Sequence, residues 1–243
     1  MVDLEKKAPP QLVSLAKSAK VVLEKRQLSS HTAAVGLCLD ISGSMKPLFA
    51  NGTVQSILER VLGLGLNFDD NGAIDLFSFG INGHNLGELK AEEFGGAGDR
   101  ILGRTPLEGG TRYAPVIRAV LAHYGFKTGG LLSGLFGSKP QPRKDPVYML
   151  FVTDGENSDP DEARKAIIDA SRHAIFFQFV GIGTAGFKFL KELDTMDGRF
   201  IDNANFFEVP NPASTPDAEL YEKMTAEYPS WIQLAKSKGM LSP

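Results

Sequence analysis

The 243-residue chain sets 26 Lys and Arg against 29 Asp and Glu, for a formal charge of −3, and 42% of its residues are apolar. That length and apolar share suit one large α/β core and exclude disorder along the whole chain, while the near balance of charge leaves no electrostatic footprint for a nucleic-acid partner. Cys38 is the sole cysteine and excludes an internal disulfide, no run approaches the ~20 apolar residues of a membrane span, and the charged, proline-bearing start is unlike a signal peptide, so the expected location is the cytoplasm with no membrane insertion.

Residues 1–29 read as an extension of a main domain that covers 30–243. After Pro9 and Pro10, Leu12, Val13, Leu15, Ala16, Ala19, Val22 and Leu23 recur at helical spacing, with Lys17, Lys20, Glu24 and Lys25 on the other side. Such a helix has an apolar face to bury, against the domain or, as the alternative, against a partner.

Ala33 to Leu39 is a nearly unbroken apolar run ending at Asp40, the pattern of a central parallel strand covered on both faces. Val54, Ile57, Leu58, Val61, Leu62 and Leu66 then share one helical face, and Ala73 to Phe79 reads as the next strand. A right-handed crossover joins them. Asn82 to Gly98 is glycine-rich, with only a short edge strand expected near Leu86 to Leu89. A helix is predicted from Tyr113 to Tyr124, with Pro115 tolerable in its first turn.

Residues 125–146 form a long insertion bearing glycine, serine and proline. Its Leu131, Leu132, Leu135 and Phe136 suit a loop folded back on the domain or a partner-binding flap, and the segment is expected to be more mobile than the flanking strands. Val147 to Val152 is a plain strand ending in Thr153 and Asp154. Asp159, Pro160 and Glu162 then form a helix start, with Asp159 capping the helix it precedes, Glu162 completing a reciprocal cap, and the helix running to about Ser171. A strand from Ala174 to Ile182, a short helix from Phe187 to Met196 and a last strand from Phe206 to Val209 follow. In the tail, Pro229 interrupts before a further helical stretch ends at Gly239. This alternation predicts a doubly wound, mainly parallel α/β sheet with helices on both faces, whose binding crevice lies beyond the strand carboxyl ends where the chain order reverses.

Oxygen-bearing side chains concentrate at those ends. Asp40, Ser42 and Ser44 alternate directly after the first strand, with Gly43 allowing a tight path between the serines. Asp154 ends the Val147 strand, and Thr111 follows Gly109 and Gly110. If the two strands are neighbours, one divalent cation can answer all three loops and relieve repulsion between Asp40 and Asp154. Hydroxyl and carboxylate donors suit Mg²⁺ first, with Ca²⁺ or Mn²⁺ as alternatives, over zinc. Glu156 and Asp159 read as a solvated acidic rim.

These three separated parts, Asp-x-Ser-x-Ser at 40–44, Thr111 and Asp154, resemble the von Willebrand factor A family and its metal-ion-dependent adhesion site. The context around Met45 and the segment from Leu12 to Leu28 are similar to the domains at the carboxyl end of TerF-type tellurium-resistance proteins. The resemblance implies a Rossmann-like fold in which the Ser42, Ser44 and Thr111 hydroxyls coordinate the cation, while Asp40 and Asp154 act directly or through water. It further implies a cytoplasmic adaptor for tellurium resistance or stress, binding a protein that presents Asp or Glu, a TerD-like protein among the candidates.

The enzyme alternative is a metal-dependent phosphoester hydrolase with Asp40 as nucleophile, but Ser42 stands where a second carboxylate would help. No GxSxG elbow or phosphate-loop pattern occurs, and His31, His84, His123 and His173 form no recognisable base or zinc cluster. The expectation is therefore a binding module without a catalytic residue, a purely structural cation site being the other alternative.

Overall fold

The computed structural model describes residues 8–68, 72–126 and 142–242. Residues 127–141, with the leucines and Phe136 of the insertion, lie outside the described residues.

Helix α1 spans Pro10–Lys25 and buries Leu12, Leu15, Ala19, Val22 and Leu23. It lies on α3, Thr53–Phe68, so closely that a methyl group at Gly63 would stand 3.0 Å from Leu15 Cβ, and Asn67 Nδ2 reaches Ala16 O at 3.0 Å. Between them come strand β1, Ala34–Asp40, and the short helix α2, Lys46–Ala50.

The remaining strands are β2, Ala73–Phe79; β3, Gly83–Lys90; β4, Val147–Thr153; β5, Ile175–Ile182; and β6, Ala204–Val209. They form one sheet in the order β3-β2-β1-β4-β5-β6. Every neighbouring pair is parallel except the antiparallel β2 and β3. The architecture is the mainly parallel, doubly wound one that the alternation predicts.

Alternation along each central strand divides the core into two faces. Leu37, Leu39, Leu150 and Val152 join the apolar faces of α1 and α3. Cys38, Met149, Phe151 and Phe179 point the other way, toward α5, Ala114–His123, and α6, Pro160–Ala170. Phe79 and Phe151 lie 4.5 Å apart between ring centroids on that second face. Removing a ring from such a layer typically costs about 3–5 kcal/mol.

The chain leaves β1 toward β2 on one side and leaves β4 toward β5 on the other. β1 and β4 are nevertheless adjacent, in register from Ala34 with Val147 to Leu39 with Val152. The reversal therefore opens a crevice above their carboxyl ends, between Asp40 and Asp154.

Several elements depart from the sequence expectation. The edge strand occupies all of Gly83–Lys90, and a helix not foreseen, α4, spans Ala97–Arg104. Local glycines disfavour that helix, yet it buries Ala97, Gly98 and Ile101, with the Gly98 Cβ position 3.9 Å from Val54 of α3. The single helix expected from Phe187 is a four-residue α7, Lys188–Lys191, followed by a 3₁₀ turn, Leu193–Thr195. In the tail, helix α8 spans Asp217–Met224 and α9 spans Tyr228–Ser237, so Pro229 falls in the first turn of α9, where its missing N–H is harmless.

Candidate metal centre

Asp40 is the last residue of β1 and has no solvent exposure. Its Oδ1 accepts the backbone N–H of Ser42 at 2.7 Å, and its Oδ2 accepts the Thr153 hydroxyl at 2.6 Å. Beyond Ser42 the chain enters a 3₁₀ turn, Gly43–Met45, which sets the Ser42 and Ser44 hydroxyls 3.0 Å apart. Ser44 Oγ in turn donates to Asp154 Oδ1 at 2.8 Å. Asp40, Ser42, Ser44 and Asp154 are thereby linked across the tips of β1 and β4, buried at Asp40 and open to solvent at Ser44.

Burial is the largest influence on Asp40 and pushes its pKa up to about 6; hydrogen bonds from Ser42 and Thr153 oppose it, and the nearby Asp154 adds to it. Asp154 is also raised, again chiefly by burial, against the hydrogen bond from Ser44. A fully buried and a half-buried carboxylate therefore face each other across two hydroxyls. An all-oxygen set of this kind fits a hard divalent cation. Among the described residues, no three or more His, Cys, Asp or Glu gather closely enough to hold a metal, so hydroxyls must supply part of any coordination here.

Thr111 belongs to the third loop. Its carbonyl accepts the Ser158 N–H at 2.8 Å and the Ser158 hydroxyl at 3.0 Å, which ties this loop to the one that carries Asp154. Among the described residues no direct hydrogen bond joins the half-buried Thr111 side chain to the other four.

Asp159 is corrected in both expected roles. It is buried rather than part of a solvated rim, and its side chain makes no capping bond to α6. Its Oδ1 accepts the Tyr113 N–H and its Oδ2 the Ala114 N–H, both at 2.9 Å, so it caps α5. The free N–H groups at a helix start attract an anion, and Pro160 removes one such donor from Asp159's own helix. Glu162 accordingly completes no capping box. Glu156 is exposed but also capping, since its Oε1 accepts the Lys188 N–H at 2.5 Å, at the start of α7.

Two contributors were missed by sequence reasoning. Thr153 orients Asp40 from the neighbouring strand. Glu108 sits beside Ser42 in a parallel bridge and donates its N–H to Ile41 O at 2.8 Å. Its carboxylate accepts the Asn82 N–H at 2.8 Å and lies 2.7 Å from His84 Nε2. Burial acts to raise the Glu108 pKa, but these hydrogen bonds outweigh it and hold the group below its usual range. A methyl group at Gly80 would stand 2.5 Å from Glu108 Cβ, so the turn can rest on this side chain only with glycine there. Both roles depend on residues far apart in the chain, and neither has a local signal.

The other histidines have partners at a distance from this crevice. His31 Nε2 lies 2.9 Å from the Tyr228 hydroxyl, His123 lies 3.3 Å from Asp75, and His173 stacks on Phe126 at 4.8 Å. Among the described residues, no helix is long and apolar enough to cross a membrane.

A family model for the von Willebrand A domain found at the TerF carboxyl terminus matches residues 32–241. The protein YcbR of Bacillus subtilis strain 168 is 40% identical over 229 residues, covering 93% of this chain and 88% of its own. Among solved structures, proximal thread matrix protein 1 of the mussel byssus, described with a zinc-occupied MIDAS motif, aligns with a TM-score of 0.51 at 17% identity. That alignment covers 80% of this chain and 47% of the mussel protein, so this chain spans about half of its length. The N-terminal domain of TFIIH p34 aligns with a TM-score of 0.51 at 14% identity, over 81% of this chain and 97% of that one. At these identities the two structures speak for the fold alone.

Proposed function

The chain belongs to the TerF-like von Willebrand A domains, and from that premise we propose that it is a divalent-cation-dependent, protein-binding adaptor of a bacterial tellurium-resistance or stress-response system. Asp40, Ser42, Ser44, Thr111 and Asp154 hold the cation, Mg²⁺ first and Ca²⁺ or Mn²⁺ as alternatives. The adaptor acts in the cytoplasm, and its partner, a TerD-like protein among the candidates, presents an Asp or Glu.

The observation that carries this reading is the hydrogen-bonded series running from buried Asp40 to exposed Ser44 and on to Asp154. A bound cation with an open position would accept a carboxylate oxygen from the partner. Asp40 supplies charge from beneath the site, and Thr153 and the Ser42 N–H keep its carboxylate in one orientation. The same bonds weigh against the hydrolase alternative. Both Asp40 oxygens already accept hydrogen bonds and the residue is fully buried, which hampers nucleophilic attack.

The test is a pull-down from native bacterial cytosol in Mg²⁺ or Mn²⁺, in chelator, and with a Ser42→Ala/Ser44→Ala protein, run beside a phosphoester hydrolysis assay. The expected result is a partner lost both on chelation and on double substitution, with no turnover. Robust turnover abolished by the same substitutions would replace the adaptor by an enzyme, and ion binding without ion-dependent capture would leave a structural cation site.

A further inference from the structure

The turn between β2 and β3 carries Ile81, 46% exposed and one of three large hydrophobic residues so exposed among the described residues. Its position is not that of a loose loop. Gly80 O accepts the Arg112 N–H at 2.7 Å, Gly80 N–H donates to Asn82 O at 3.1 Å, and Asn82 N–H donates to Glu108 at 2.8 Å. Glu108 is itself paired beside Ser42. The Cβ position of Gly110 lies 3.3 Å from Ile81 Cγ1, so the isoleucine rests on the residue immediately before Thr111.

We infer that Ile81 is a specificity-determining contact at the rim of the cation site, and that the partner segment bears a large apolar residue two positions from its acidic one. This rests on the cation-dependent reading above, which supplies the carboxylate. Ile81 supplies the second half of the recognition. Side chains of an extended peptide alternate between its two faces, and residues two apart share a face about 7 Å apart, so a carboxylate reaching the cation beside Thr111 turns the residue two positions away, not its immediate neighbour, toward Gly110 and Ile81. Apolar surface held in water by a hydrogen-bonded turn gains by being covered. A carboxylate alone would be met by any acidic surface in the cell, whereas the pair of features selects.

The probes are two blocked pentapeptides with a central Asp between two glycines, ending in glycine on both sides in one and in leucine on both sides in the other, the leucine-flanked peptide. Each is titrated by NMR into the magnesium-loaded full chain and into Ile81→Ser. The expected result is binding of the leucine-flanked peptide on the order of fivefold tighter by the unsubstituted protein, from partly covering one isoleucine, with that preference lost in Ile81→Ser. Magnesium affinity, measured by calorimetry, and thermal stability should be equal in the two proteins. Equal affinity for both peptides, or a leucine preference that survives Ile81→Ser, overturns this inference and leaves the cation-dependent reading standing. Failure of the magnesium-loaded protein to bind either peptide overturns both.

Discussion

The carboxylate of Asp159 receives the backbone N–H groups of both Tyr113 and Ala114 at 2.9 Å, capping a helix that begins some 45 residues earlier in the chain. It thereby couples the Thr111 loop to the Asp154 loop, beside the Ser158 contacts with the Thr111 carbonyl. Asp159→Ala leaves two buried donors open at a helix start. The expected loss is about 1–3 kcal/mol in urea denaturation, with weaker divalent-ion binding in calorimetry. Unchanged stability would show that water replaces the cap.

Asp40→Asn separates the cost of the buried charge from its use. The folded pKa of Asp40 is raised from 3.8 to about 6, so its contribution to stability is fully present below pH 3.8 and is lost as pH rises through about 6. In chelator at pH 7.5, Asp40→Asn is therefore expected to be more stable than the unsubstituted protein by about 1–3 kcal/mol, a gap that closes below pH 4. Magnesium at a hundred times its Kd should stabilise the unsubstituted protein by about 2.7 kcal/mol and leave Asp40→Asn nearly unmoved. Thermal melts in chelator and in magnesium read both effects.

His31 has the opposite pH signature. Burial chiefly, with the positive charge of Lys236 and against the pull of Asp145, lowers its pKa from 6.5 to about 4. It lies 2.9 Å from the Tyr228 hydroxyl and edge-on to Phe68. The unfolded chain takes up this proton first as pH falls below 6.5, so stability should decline between pH 6.5 and 4 and level off below. His31→Gln should show a shallower decline over that window in urea denaturation. A slope unchanged by the substitution would remove His31 as its cause.

Gly83→Ala probes the turn that carries Ile81. The added methyl would lie 2.6 Å from Val116 N and 2.7 Å from Pro115 C, backbone atoms at the start of α5 that cannot rotate away. A loss of about 1–3 kcal/mol is expected in urea denaturation, together with loss of the preference for the leucine-flanked peptide. An unchanged melting profile would mean that the turn shifts without strain.

The strands and the helices of both faces are legible in the sequence because local periodicity reports burial. The runs Ala33 to Leu39 and Val147 to Val152 are apolar on alternate residues in both directions, and only a strand covered on both sides requires that. The alternate oxygens of Asp40, Ser42 and Ser44 are equally local, since backbone spacing alone brings them to one end of a strand. Which loops meet them is decided elsewhere. The adjacency of β1 and β4 brings Asp154 within hydrogen-bonding reach of Ser44, and the same adjacency lets Thr153 orient Asp40. Asp159 has the sequence context of a cap for its own helix, yet tertiary packing presents it with the unsatisfied N–H groups of another. Glu108 and Ile81 carry no motif, and helix α4 forms in spite of its glycines because Ile101 and Ala97 have α3 to cover them. Periodicity describes what a segment needs to bury or bond, and only the folded chain determines which distant group satisfies it.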